Sequence, residues 1–102
     1  MGRVKRPRPE KLGEKLLLIR SALGLSQNEM LRVLGWAETV DRSAVSDWEN
    51  DVREPPLPVL LEYARAANIY VEVLIDDGLD LPNKLPSSKK SEGVRRSAIT
   101  TL

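Results

Sequence analysis

The sequence predicts an all-α fold: a domain of five short helices, with a lengthened turn between the second and third and flexible basic termini. Three observations carry this reading. Apolar residues recur at three- and four-residue steps through most of residues 10–75. Helix start and stop signals divide that stretch at regular intervals. One run alone, "YVEVLI", has strand character, and no partner strand is evident for it.

The first helix starts near Glu10. Leu12, Leu16, Ile19 and Leu23 share one face, and Gly24 supplies the left-handed stop. Ser26 and Glu29 then form an S-x-x-E capping box, in which each side chain accepts from the other residue's free backbone N–H. Leu25 and Met30 stand at the positions of a hydrophobic staple. This second helix runs to about Leu34 and stops at Gly35. Asp41 begins the third, because its carboxylate caps free amides at the positive end of the helix dipole. Val40 and Val45 repeat the staple spacing, Val45 and Trp48 point inward, and the helix ends near Asn50.

The segment "REPPLP" is a rigid connector, and proline tolerates a first helical turn, so a fourth helix starts near Leu57 or Pro58. Leu57, Leu60, Leu61 and Ala64 form its expected inward face, and Asn68 is a plausible left-handed stop. "YVEVLI" is assigned to a short fifth helix with Val71, Leu74 and Ile75 inward. Pro82 closes the ordered part. The domain organisation is therefore a basic arm over residues 1–9, a helical domain over 10–81 and a disordered basic tail over 82–102.

Composition narrows the chemistry. The 102 residues include no cysteine and no histidine, which removes thiolate chemistry, the commonest general base and the commonest metal ligand. There is no glycine-rich phosphate loop either, so the reading is not an enzyme and implies no cofactor, metal or small-molecule ligand. The basic start has no apolar signal core, and no run reaches the roughly 18 apolar residues of a membrane span. The expected setting is cytoplasmic, without a membrane partner.

A net charge of +1 conceals a strong pattern. Residues 1–20 carry a net +5, residues 21–50 a net −3, residues 51–80 a net −5 and residues 81–102 a net +4. Two basic ends flank an acidic middle.

The stretches "LGLSQNEM", the Gly35 stop, "VDRSAVSDWEN" and "REPPLPVLLEYARAANI" together resemble the Cro/cI-type, XRE-like (lambda-repressor-like) helix-turn-helix family of phage repressors and bacterial regulators. The likeness spans about residues 10–76. It implies a DNA-binding domain in which residues 26–34 form the support helix and residues 41–50 the recognition helix, whose N-terminal part reads base edges in the major groove. The resemblance puts Arg42, Ser43, Ser46 and Asp47 at the bases. Arg42 would donate two hydrogen bonds to a guanine, and Asp47 would accept from a cytosine amino group. Gln27 matches a glutamine that contacts the DNA backbone, helped by the free N–H groups of its helix. Asn50 and Arg53 match positions that touch phosphate, and Arg20 with Glu49 matches a structural pair between the first and third helices.

Two departures from the family pattern stand together. Leu31 occupies a position that is usually small, and "WAET" separates Gly35 from Val40, where the family passes at once to the next apolar residue. A longer turn can make room for the larger side chain, with Trp36 covering the core edge. Arg3, Lys5, Arg6 and Arg8 make the first nine residues a candidate DNA arm, and Lys89, Lys90, Arg95 and Arg96 add basic charge to the tail.

The function expected is sequence-specific binding of double-stranded DNA by a transcriptional regulator. A small domain buries little surface on DNA, so a homodimer on a two-fold site is expected, with Tyr70, Val73, Leu79 and Leu81 as candidates either for its contact or for the core fringe. The alternative is a protein-interaction module on the same helical fold, favoured by the acidic middle.

Overall fold

The computed structural model describes residues 8–91. Five helices follow in chain order: α1 (Leu12–Leu23), α2 (Gln27–Leu34), α3 (Arg42–Glu49), α4 (Leu57–Ala67) and α5 (Glu72–Ile75), with no strand among the described residues. The fifth helix falls where "YVEVLI" was ambiguous.

Helix ends follow local chemistry. At α2, Ser26 Oγ accepts from the Glu29 N–H at 3.0 Å and Glu29 Oε1 accepts from the Ser26 N–H at 2.8 Å, so the capping box is complete. The Ser26 backbone N–H, which contributes most, and the Ser26 side chain hold the Glu29 carboxyl below its usual range. At α3, Asp41 Oδ1 accepts from the Ser43 N–H at 3.0 Å. Helices α1, α2 and α4 close on residues at positive φ, namely Gly24 (71°), Gly35 (82°) and Asn68 (56°). In each case the next N–H reaches back to a carbonyl five residues earlier: Leu25 to Arg20, Trp36 to Leu31 and Ile69 to Ala64. Helix α3 ends in the same pattern, with Val52 N–H donating to Asp47 O at 2.9 Å. There the left-handed residue is Asp51, at φ 61°, a place where glycine is the cheaper choice.

The start of α1 is capped from a distance. Asp77 accepts from the N–H groups of Glu10 (2.8 Å) and Lys11 (3.0 Å), and these bonds hold its carboxyl below the ordinary range. Lys15 answers in the opposite direction. It is 4% exposed, and its Nζ donates to the carbonyls of Val73 (2.7 Å), Asp76 (3.1 Å) and Leu79 (2.9 Å). Burial pulls its pKa below the usual lysine value, against the pull of nearby Asp77 and Asp80. Asp77, just beyond the end of α5, is thus a structural group.

The core joins all five helices: Leu16 and Ile19 from α1, Met30 and Leu31 from α2, Val45 and Trp48 from α3, Val59, Leu60, Tyr63 and Ala64 from α4, Val73 and Leu74 from α5, with Leu79 beyond. Two expected faces are corrected. On α4 the inward residues are Val59, Leu60, Tyr63, Ala64 and Ala67, while Leu57 is 79% exposed and Leu61 41%. The helix is rotated so that the large Tyr63 and the small Ala64 and Ala67 meet its neighbours. On α5, Val73 and Leu74 are fully buried, and Val71 and Ile75 lie outward. The bonds from Lys15 to the Val73, Asp76 and Leu79 carbonyls fix this segment against α1 and turn Val73 inward. Val73 and Leu79 are therefore core residues, unavailable for a dimer contact, whereas Tyr70 stays on the surface.

The lengthened turn is closed on itself. The Trp36 carbonyl accepts from both Thr39 N–H (3.0 Å) and Val40 N–H (3.1 Å), and Trp36 and Val40 pack against the core while Ala37, Glu38 and Thr39 are exposed. Leu31 is buried, and it lines one cleft of about 250 Å³ together with Asn28, Arg32, Ala37, Val40 and Asp41. The large residue on α2 and the extra turn residues therefore pack side by side.

Beyond Pro82 the chain returns to α4 before residue 91. Ser87 is buried, its N–H donates to the otherwise orphaned Ala67 carbonyl at 2.9 Å, and its carbonyl accepts from Asn68 Nδ2 at 2.6 Å. Leu85 packs against the core. The first part of the segment read as a tail is thus a strap that satisfies the end of α4.

Gly13 sits where α1 meets the end of α3. A Cβ there would lie 2.7 Å from the Glu49 carbonyl oxygen and 2.7 Å from Asp51 Oδ1. Gly13→Ala is expected to lower unfolding stability by about 2 kcal/mol, because backbone on the facing side must shift. Urea denaturation of the two proteins measures it.

Candidate nucleic-acid interface

The α2–turn–α3 unit is anchored to α1 through one buried ion pair. Arg20 Nε donates to Glu49 Oε2 at 2.6 Å and Nη2 to Oε1 at 3.0 Å, a two-point contact in which the Glu49 side chain is 5% exposed. Arg20 Nη1 also donates to the Leu25 carbonyl at 3.0 Å, at the lead into α2. The bond to Glu49, more than the opposing burial, raises the Arg20 pKa. Tyr63 lies fully buried in the same region with no hydrogen-bond partner for its hydroxyl among the described residues, and burial pushes its pKa up.

The residues singled out by sequence fall on and around the outer side of α3. Arg42 and Ser43 are exposed in its first turn, Ser46 and Asp47 are half-buried one turn later, and Asn50 and Arg53 follow its end. Most are held by neighbours. Ser43 donates its hydroxyl to Asp41 Oδ1, and that bond, with the Ser43 N–H, keeps the Asp41 carboxyl below its usual range. Asn50 Nδ2 donates to the Ser46 carbonyl at 2.9 Å and lies 3.4 Å from Ser46 Oγ. Asp47 Oδ2 accepts from Arg53 Nε at 3.0 Å, in a pair that leaves the arginine largely exposed. Gln27, the first residue of α2, donates to Glu49 Oε1 at 3.4 Å.

Arg42 differs from all of these. It is exposed and has no ion-pair or hydrogen-bond partner among the described residues. A fork of N–H donors is thus displayed at the N-terminal end of α3. The carboxylates around it do not oppose an anion freely. Asp41 caps its own helix, Asp47 faces Arg53 and Glu49 faces Arg20 and Gln27. Two of these carboxylates, Asp47 and Glu49, are thus paired with arginines.

Arg8 Nη1 donates to the Asp51 carbonyl at 3.1 Å, which brings the start of the described chain to the end of α3. Arg3, Lys5 and Arg6 of the expected arm, and Arg95 and Arg96 of the expected tail, lie outside the described residues. Lys89 and Lys90 are exposed on the strap side of α4. Sequence reasoning missed Asp51, whose left-handed backbone sets the loop to Arg53. The signal available was an aspartate just after Asn50, a residue type that tolerates that conformation.

No helix among the described residues is long and apolar enough to cross a membrane. No group of histidine, cysteine, aspartate or glutamate among them is arranged to hold a metal ion.

Replacing Arg20 by Met leaves Glu49 buried without its main partner. The expected loss is about 3 kcal/mol of unfolding stability, read by thermal or urea denaturation.

Compared with known proteins, residues 16–74, more than half of the chain, match a family model described as helix-turn-helix. No curated protein and no solved structure matches the chain.

Proposed function

Since this chain belongs to the Cro/cI-type, XRE-like helix-turn-helix family of DNA-binding proteins, we propose that it is a sequence-specific transcriptional regulator that reads double-stranded DNA with α3 in the major groove. The observation that carries the reading is Arg42: a free guanidinium at the N-terminal end of a helix whose neighbouring polar side chains are held in place. Arginine in that position recognises guanine through its O6 and N7 acceptors.

Around Arg42 the roles divide by geometry. Ser43 has committed its hydroxyl proton to Asp41 and offers acceptor lone pairs. Ser46 and Asp47 lie one turn further along the same side. Gln27, Asn50 and Arg53 bracket α3 and serve the phosphates, with the free amides at the start of α2 beside Gln27. Arg8 supports delivery of the basic arm, Arg3, Lys5 and Arg6, from beside the end of α3 toward the DNA backbone. The protein acts as a homodimer on a two-fold site in the cytoplasm, associated with the nucleoid when bound. Exposed Tyr70 and half-buried Leu81 remain as contact candidates after Val73 and Leu79 are assigned to the core.

Selecting bound duplexes from a random DNA pool tests this reading. A recurrent, palindromic motif is expected. Arg42→Ala should relax one base position in each half-site and cost about 1–3 kcal/mol at the preferred sequence. Enrichment of no motif would contradict direct readout and favour the interaction module, with the exposed acidic residues of α5 and its loop as the partner surface.

A further inference from the structure

We propose that Asp47 is a positioning residue that restrains sequence-independent attraction to duplex DNA by holding the Arg53 guanidinium against α3. This rests on the DNA-binding reading above and adds a role for a side chain which that reading places only near the bases.

Asp47 engages the segment after α3 three times. Its carbonyl accepts from Val52 N–H at 2.9 Å and from Arg53 N–H at 3.4 Å, and its carboxylate accepts from Arg53 Nε at 3.0 Å. The left-handed Asp51 makes this return possible within six residues. The backbone bonds keep Arg53 beside Asp47, so the pair re-forms readily after it opens. Because the pair is open to solvent, it is individually weak, and a DNA phosphate can compete for the guanidinium. The carboxylate therefore lowers the share of time for which Arg53 offers its charge to phosphate without removing it. A regulator that must find one site among a vast excess of others gains from weaker general attraction.

The prediction has a sharp signature, because a phosphate contact releases counterions. In fluorescence anisotropy with the full chain and an unrelated duplex of about 20 base pairs, Asp47→Asn should bind roughly fivefold more tightly at low salt. The slope of log affinity against log salt should steepen by about one. The amide introduced by Asp47→Asn is isosteric with the carboxylate, and the backbone bonds at this position are unaffected. Thermal melts should therefore coincide closely enough to compare folded proteins.

The same change is made in an Arg53→Ala background. There the gain in affinity and slope should vanish. A gain that persists without Arg53 would overturn the proposal, leaving only general charge removal, as would an Asp47→Asn variant no tighter than the parent. If the parent and all variants fail to bind any duplex at low salt, the DNA reading itself falls, and this inference with it.

Discussion

The two-point contact between Arg20 and Glu49 is the constraint on which the rest of the arrangement depends. It joins the last turn of α1 to the last residue of α3 and, through the Leu25 carbonyl, to the beginning of α2. Gln27 leans on the same carboxylate. Three helices thus take their mutual orientation from one guanidinium. Such a pair adds little net stability over an apolar pair of similar volume, because both ions lose water. Breaking it from one side is costly, because the remaining charge is stranded. Its role here is directional: it sets the angle at which α3 presents its outer side. Gly13 permits the same approach at the other end of α1, where a side chain would meet the Glu49 carbonyl.

A second set of contacts makes a small domain hold together without a large core. The ends of helices are satisfied by residues distant in sequence. Asp77 supplies acceptors to the start of α1, Lys15 supplies donors to the carbonyls of α5 and its following loop, and Ser87 closes α4. Each bond exchanges an orphaned backbone group for a long-range tie. They hold the side of the domain formed by α1 and α5. The side formed by α2 and α3 is left to display its polar groups.

The sequence makes the helix limits readable because their signals are local. Ser26 with Glu29, Asp41, Gly24, Gly35 and Asn68 each act within a few residues, and each bounds a helix where expected. Family membership was readable from the order of those signals. The inward faces of α4 and α5 were not, because Leu57, Val59 and Leu61 are equally apolar and only the neighbours decide among them. Lys15 and Asp77 were hidden for the same reason: a lysine on a helix and an aspartate at a helix end look solvated until their partners, some 58 to 67 residues away, are known. In the candidate interface, the residues that surround α3 were legible, but not which were already engaged. Arg42 stands out only once Ser43, Ser46, Asp47 and Asn50 are seen bonded to neighbours. The lengthened turn shows how two departures from a pattern can be one feature, since Leu31 and the turn residues Ala37 and Val40 line the same cleft.

We propose that the outer side of α3, with the start of α2 beside it, is the surface that meets DNA. An amide-resolved NMR titration of the chain with a duplex tests it most directly. The largest shifts are expected at Gln27 and through Arg42, Ser43 and Ser46, with α5 unchanged. Shifts confined to the basic ends, or centred on α5 and its acidic loop, with α3 silent, would contradict it.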